Sequence, residues 1–196
     1  MIKPYLLIVT GRPGSGKTTF ARRLSEYISM PVIGRDQIKE GYVRTHGKGH
    51  GDLPAETNKL VNEVFFDTLM GLIDRSISVV AEAAFQHRLW SGYLERFLDK
   101  AKVFILICTV DERIAQQRYL QRGLSDATRV YFHGDPGVDM ARNGVLPEIK
   151  PYEEPRILDA TTIHVDTTGE YSPPIDELVD MILSGTKNSS KAQNYK

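Results

Sequence analysis

The stretch Gly11-Arg12-Pro13-Gly14-Ser15-Gly16-Lys17-Thr18 has the residue types and spacing, G-x-x-x-x-G-K-[ST], that suit a chain to hold a row of phosphates. Glycines let successive backbone N–H groups turn inward around an anion, and a helix starting at Lys17 would add its positive N-terminus. Lys17 supplies a mobile cation for the terminal phosphates and for the charge of a transferring phosphoryl group. The Thr18 hydroxyl suits Mg²⁺, a hard ion that needs only one or two protein ligands beside water and phosphate oxygens. Pro13 has no N–H to donate, so it belongs at the bend of the loop and leaves Gly14, Ser15, Gly16 and Lys17 to line the cradle. Coincidence is a weak rival: with Gly near 7% of residues, the pattern arises by chance in roughly 1% of chains of this length or fewer.

Three further groups of residues could act on a bound phosphate. Gly34-Arg35-Asp36-Gln37-Ile38-Lys39 follows a short apolar run. In an open parallel sheet the carboxyl ends of adjacent strands share one crevice, so Asp36 can face the loop at 11–18 and accept the proton of an attacking hydroxyl. The competing role for Asp36 is the N-cap of a short helix. Val79-Val80-Ala81-Glu82 ends an apolar run in an acid, which suits a Mg²⁺-bound water, an acceptor contact or a structural ion pair; His87 and Arg88 follow at the same sheet edge. In Asp111 to Gly123, Arg118 and Arg122 stand four apart on a helix capped by Asp111 and stopped by Gly123. They could clamp phosphates, or simply meet the negative end of the helix dipole. Arg129 lies just beyond as a third candidate.

These residues need a scaffold, and the chain has the pattern of one. Apolar runs of strand length at Tyr5–Thr10, Val32–Ile33, Ser78–Ala84, Val103–Thr109 and Thr162–Val165 alternate with segments of helical period at Lys17–Ser29, Ala55–Ser76, Leu89–Lys100, Glu112–Gln121 and Ile175–Leu183. That alternation is the α/β class with a parallel sheet, and the continuously apolar first and fourth runs belong in its interior. Residues 45–54, with three glycines and two histidines, and residues 123–158 break the pattern and read as long irregular loops of the kind that serve as lids or binding loops. The tail 185–196 has three lysines, no acid and little apolar content, and is expected to be disordered.

The 196 residues fit one compact unit. Lys and Arg number 25, as do Asp and Glu, so no global basic field draws the chain to nucleic acid or an anionic membrane; without the tail, 22 basic residues face 25 acidic ones. Cys108 is the single cysteine, so no intrachain disulfide and no Cys-rich metal site can form, and a reducing, cytoplasmic setting fits. No apolar run reaches the 18 or so residues that a membrane span requires. The five histidines have no metal-ligand spacing and read as scattered surface residues.

The combination of GRPGSGKT, Arg35-Asp36 after the second strand, an acid ending the third, the Arg118-x-x-x-Arg122 helix and Val165-Asp166-Thr167-Thr168-Gly169 resembles the P-loop kinases, most of all the small ATP-binding kinase-like proteins grouped with the kinase domain of bacteriophage polynucleotide kinase, and more distantly zeta toxins and chloramphenicol phosphotransferase. The resemblance implies a three-layer α/β/α P-loop NTPase fold with a five-stranded, mostly parallel sheet, forming one domain over 1–184 with a lid and insert at about 111–158. It implies ATP·Mg²⁺ held by Gly11, Arg12, Pro13, Gly14, Ser15, Gly16, Lys17, Thr18 and Thr19, with Arg118 and Thr167 completing the nucleotide site. Lys17, Asp36, Arg118 and Arg122 would be catalytic, with Asp36 the general base; Arg35, Asp36, Lys39, Glu82 and Arg88 would contact the acceptor; Thr18 and Glu82 would serve the metal.

The expected activity is transfer of the γ-phosphate to a hydroxyl of a small metabolite, nucleoside or antibiotic-like acceptor by a monomer or homodimer away from membranes. A 5′-hydroxyl polynucleotide kinase is the second enzymatic reading. It is disfavoured by the neutral charge and by Lys39, which stands where the polynucleotide kinases place a phosphate-binding Arg. A regulatory ATPase without an acceptor is the reading from a different class.

Overall fold

The computed structural model of the chain describes residues 2–184; the tail at 185–196, expected to be disordered, lies outside them. In chain order the elements are β1 (Tyr5–Thr10), α1 (Lys17–Ile28), β2 (Val32–Gly34), α2 (Arg35–His46), a 3₁₀ turn at His50–Asp52, α3 (Thr57–Ile73), β3 (Val79–Glu82), α4 (His87–Leu98), β4 (Lys102–Thr109), α5 (Glu112–Ser125), α6 (Ala127–His133), α7 (Pro136–Arg142), β5 (Thr161–Asp166) and α8 (Ile175–Ser184). The five strands form one sheet in the order β2-β3-β1-β4-β5, with every neighbouring pair parallel. Parallel strands need helical crossovers, and those helices cover both faces.

Alternation along β1 shows how the layers arise. Leu6 and Ile8 point to one face, where Phe65, Phe66 and Leu69 of α3 and Trp90, Leu94 and Phe97 of α4 bury them. Leu7 and Val9 point to the other, against Phe20 and Leu24 of α1 and Leu178 and Ile182 of α8. A strand buried on both faces must be apolar at every position, which is why β1 and β4 read as unbroken runs. β1 lies at the centre of the sheet, so the loop that leaves it at Gly11 emerges between the ends of β3 and β4.

Several sequence expectations are corrected. The loop expected at 45–54 begins only after His46, where α2 ends, and 123–158 is not wholly irregular, since it carries α6 and α7. These helices are short and polar, held by tertiary contacts rather than by an apolar stripe, so periodicity missed them. Gly123 does not stop α5, which runs on to Ser125. It is buried, and a Cβ there would lie 2.3 Å from Val138 Cγ2, so the glycine lets α7 pack closely on α5. Asp111 does cap α5, accepting from the backbone N–H groups of Arg113 and Ile114 at 2.9 and 3.3 Å.

Candidate active site

The phosphate-type loop turns on backbone conformations that side chains rarely adopt. Gly14 has φ +83°, and a Cβ there would fall 2.0 Å from the carbonyl oxygen of Ala115 in α5, so only glycine fits. Gly16, at φ +80°, begins α1 with no side-chain cap, leaving the first-turn N–H groups without intrahelical acceptors and facing outward from the helix end. One expected donor is already engaged, because the Ser15 N–H bonds to the Arg12 carbonyl at 3.1 Å. The Ser15 hydroxyl is buried with no partner among the described residues. Arg12 pairs with Glu112 at the start of α5.

Below this loop stands an ion pair. Register places Glu82 beside Val9 of β1 on one side and Gly34 of β2 on the other, so its carboxylate sits at the sheet's carboxyl edge between the phosphate loop and α2. Lys17 Nζ lies 4.0 Å from Glu82 Oε1 and both side chains are nearly buried. Burial raises the Glu82 carboxyl above its ordinary value, opposed by Lys17, reinforced by Asp36 and opposed again by the Thr18 hydroxyl and Arg122. A buried carboxylate next to a threonine hydroxyl is a hard-oxygen donor pair, which suits Mg²⁺ coordinated mainly by water and phosphate. No group of three or more metal-ligating side chains exists among the described residues, so an all-protein metal cage is absent there.

In front of Lys17 opens a cleft of about 600 Å³ lined by the phosphate loop, α2, α5, α6, α7 and residues 147–150. Asp36 lines it from the first turn of α2, whose N-cap is Gly34, so the capping role for Asp36 does not hold. Burial alone would raise the Asp36 carboxyl, but the charges of His133, Lys17, Arg35 and Arg129 together hold it below its ordinary value. It is therefore ionised at neutral pH and able to accept a proton.

Arg35 and Lys39 share this cleft but are placed differently. The Arg35 guanidinium donates to Asn62 Oδ1 at 3.0 Å and Asn58 Oδ1 at 2.8 Å on α3, and stands 3.5 Å from Asp36, so much of its donor capacity is already used in fixing α2. Lys39 is 3% exposed and, among the described residues, has no carboxylate within ion-pair distance; its ammonium reaches the His133 carbonyl, at 3.5 Å. Burial, with Arg35 adding, pushes it down to about 8, against the pull of Asp36 and Asp135.

The two arginines of α5 part company. Arg122 lines the cleft with no hydrogen bond or ion pair from its side chain among the described residues, its guanidinium lowered by burial and by Arg129. Arg118 instead donates to the carbonyls of Thr167 and Thr168 at 3.2 and 2.8 Å, on the far side of the loop. There it borders a second hollow of about 630 Å³ with Gly16, Thr19, Arg23, Thr167 and Tyr171. Thr167 Oγ1 lies 2.6 Å from the Ser15 carbonyl and 2.9 Å from that of Thr109, so its single proton ties this hollow to the phosphate loop. Arg129 faces the cleft bound to Asp135 at 2.8 Å.

Arg88 is not brought to the cleft: it is exposed on the first turn of α4, where the chain has already turned from the sheet edge. His87 accepts from the Arg156 N–H and stays outside the cleft too. The surface reading of the histidines fails for His133, whose nearly buried ring lines the cleft and stands 3.0 Å from Glu40. Tyr119, His133, Asp135 and the 147–150 wall are cleft residues that sequence reasoning missed. Tyr119, directly beside Arg118, and His133, Asp135 and 147–150, inside the segment read as a lid or binding loop, carried a positional signal but no chemical one.

A family model described as an AAA domain matches residues 6–135. Among solved structures, the chain is similar to a protein of Chloroflexus aurantiacus J-10-fl provisionally described as a kinase, with a TM-score of 0.70 and 19% identity over 94% of this chain and 100% of that one. The Mycobacterium tuberculosis APS kinase, solved with AMPPNP and APS, gives a TM-score of 0.62 at 16% identity, covering 94% and 99%. A gluconokinase from Sinorhizobium meliloti 1021 gives 0.50 at 17%, covering 93% and 91%. Comparison with curated protein sequences returns no match.

Proposed function

From the premise that the chain belongs to the AAA-domain family, we propose that it is an ATP-dependent kinase that phosphorylates a hydroxyl of a small acceptor carrying its own anionic group. The observation that carries this reading is the cleft in which Lys17, Asp36, Lys39 and Arg122 meet. An ionised carboxylate and unpaired cations on a common cavity beside a phosphate loop are the groups that phosphoryl transfer to a hydroxyl uses.

In this reading the first-turn N–H groups of α1 and Lys17 hold the phosphates, while the hollow at Gly16, Thr19 and Arg118 takes the nucleoside. Arg118 and Thr167 hold that hollow together rather than touching the reacting phosphate. Thr18 and Glu82 would hold Mg²⁺, which supplies charge neutralisation of the phosphate oxygens when bound. Asp36 orients the acceptor hydroxyl and takes its proton as the oxygen attacks; Lys17 and Arg122 offset the negative charge spread over the transferring group.

Lys39 supports the anionic acceptor. A buried ammonium without a counterion is costly, and its nearest cavity is the one facing Asp36. A carboxylate, phosphate or sulfate on the acceptor would complete it and bring the hydroxyl to Asp36. The small cleft and the neutral chain favour a compact acceptor over a polynucleotide. The proposed kinase is cytoplasmic and its domain spans 1–184; the described residues hold no helix long and apolar enough to cross a membrane, and the thiol of Cys108 is buried.

The test is transfer of labelled γ-phosphate to pools of hydroxy acids, sugar phosphates, neutral sugars, nucleosides and a 5′-hydroxyl oligonucleotide. Product in an anionic small-molecule pool supports the reading. Product only in neutral pools removes the anionic acceptor, and label released only as free phosphate in every pool argues for an ATPase.

A further inference from the structure

Residues 147–156 are irregular in backbone but stitched to the rest of the molecule along their length. The Gln116 side-chain amide of α5 donates to the Pro147 carbonyl at 2.6 Å. Further on, Gln86 donates to the Pro151 carbonyl at 3.4 Å and accepts from the Glu153 N–H at 2.6 Å, the His87 N–H bonds the Glu153 carbonyl at 2.9 Å, and the Arg156 N–H bonds His87 Nδ1 at 3.1 Å. Between these anchors, Pro147, Glu148, Ile149 and Lys150 line the cleft facing Asp36.

Tyr152 makes a different kind of contact. Its hydroxyl lies 2.7 Å from Thr10 Oγ1 and 3.2 Å from the Phe85 carbonyl, while the Trp90 indole N–H donates to Thr10 Oγ1 at 3.0 Å. The direction of every proton follows. Trp90 can only donate and the Phe85 carbonyl can only accept, so Tyr152 donates to Phe85 and the Thr10 hydroxyl donates to Tyr152. Thr10 is fully buried and is the last residue of β1, directly before Gly11. Burial pushes the Tyr152 phenol up to about 12, so the chain of donors is intact across the neutral range.

We propose that residues 147–156 are a strap forming one wall of the acceptor cleft, and that Tyr152 is its positioning residue, coupling the strap to the nucleotide loop through Thr10. The proposal rests on the kinase reading of the cleft. Occupancy of the loop fixes the backbone at Gly11, which fixes Thr10 and thereby the strap. Nucleotide would then set the acceptor wall without touching it, and by reciprocity an ordered wall favours nucleotide. The strap's exposed Glu148 and Lys150 become specificity-determining side chains for the acceptor.

The experiment is hydrogen–deuterium exchange of the full chain with and without AMPPNP and Mg²⁺, with AMPPNP affinity measured separately by calorimetry and emission of Trp90, the single tryptophan, followed in the same titration. Wild type should show slowing of exchange at Glu153 and Arg156 by about threefold or more on AMPPNP binding, with a shift in Trp90 emission. Tyr152→Phe should bind AMPPNP within about twofold of wild type and keep the emission shift, because Trp90 bonds Thr10 directly, yet lose the slowing in the strap. Gln86→Ala cuts the stitches to Pro151 and Glu153 without touching Thr10; it should exchange faster overall but keep the response to AMPPNP at Arg156, which separates coupling from mere support. Persistence of the slowing at Glu153 and Arg156 in Tyr152→Phe, or bound AMPPNP that leaves the wild-type strap unchanged, overturns the proposal. Failure of wild type to bind AMPPNP at all would instead remove the kinase reading on which it rests.

Discussion

The Thr167 hydroxyl lies 2.6 Å from the Ser15 carbonyl, joining residues 152 positions apart and holding the phosphate loop to the loop after β5. The Arg118 guanidinium secures the same loop through the Thr167 and Thr168 carbonyls. The nucleotide loop is thus fixed from its outer side by groups that need not touch phosphate. Thr167→Val keeps the shape and removes the bond. We expect AMPPNP affinity, read by calorimetry, to fall about 5- to 10-fold, the equivalent of one buried hydrogen bond of about 1 kcal/mol. Unchanged affinity would mean that the loop is self-supporting.

Gly14→Ala should be more severe. The added methyl would meet the Ala115 carbonyl at 2.0 Å and adopt a left-handed backbone as well. The loop or α5 must move, so nucleotide affinity should fall by at least about 30-fold, the equivalent of about 2 kcal/mol, while the melting transition stays cooperative.

What could be read beforehand follows from where local signals are strong. Gly11 to Thr18 was legible because its function demands particular residues at fixed spacing, and β1 and β4 because burial on both faces demands unbroken apolar runs. α2 was not: Ile38 and Val43 are too few apolar residues to show a period, and its position is set by Arg35 reaching Asn58 and Asn62 on another helix. Gly123 was read as a helix stop because glycine punctuates locally, whereas its reason is Val138, fifteen residues away in α7. Arg118 and Arg122 share a helix, yet neighbours that sequence spacing cannot supply send one to Thr167 and the other to the cleft.

Lys39 carries a measurable penalty in the free protein. Its folded value, about 8, lies below the ordinary 10.5, so between those values the unfolded chain holds a proton that the folded chain has shed, and stability contributed at this site rises with pH across that window. At pH 7 the full penalty is present. Lys39→Met should therefore stabilise the free protein at pH 7 by on the order of 1–3 kcal/mol, with the difference narrowing towards pH 10.5, as measured by denaturant unfolding of both proteins at each pH. The same substitution should weaken binding of an anionic acceptor.

Asp36 sets the other side of the pH profile. Its carboxyl lies below the ordinary range, so it is ionised throughout pH 5–8 and loses its proton-accepting form only as pH falls through that lowered value. Acceptor phosphorylation should be level from about pH 5 to 7 as far as Asp36 is concerned, then decline above about 8 as Lys39 loses its charge. Asp36→Asn should lower kcat by about 10²- to 10⁴-fold with AMPPNP affinity nearly unchanged. A variant within a few-fold of wild type would remove Asp36 as the base.

In the proposed reaction, the cleft beside the phosphate loop moves a phosphoryl group from ATP to an anionic small acceptor. Its most direct measurement is labelled γ-phosphate transfer with Mg²⁺ to the acceptor pools, with Lys17→Ala run in parallel. A labelled product is expected in a hydroxy-acid or sugar-phosphate pool, with a loss of about 10²-fold or more when Lys17, whose side chain faces Glu82 and the cleft, is replaced in Lys17→Ala. Equal transfer by wild type and Lys17→Ala, or free phosphate as the sole labelled product in every pool, would contradict it.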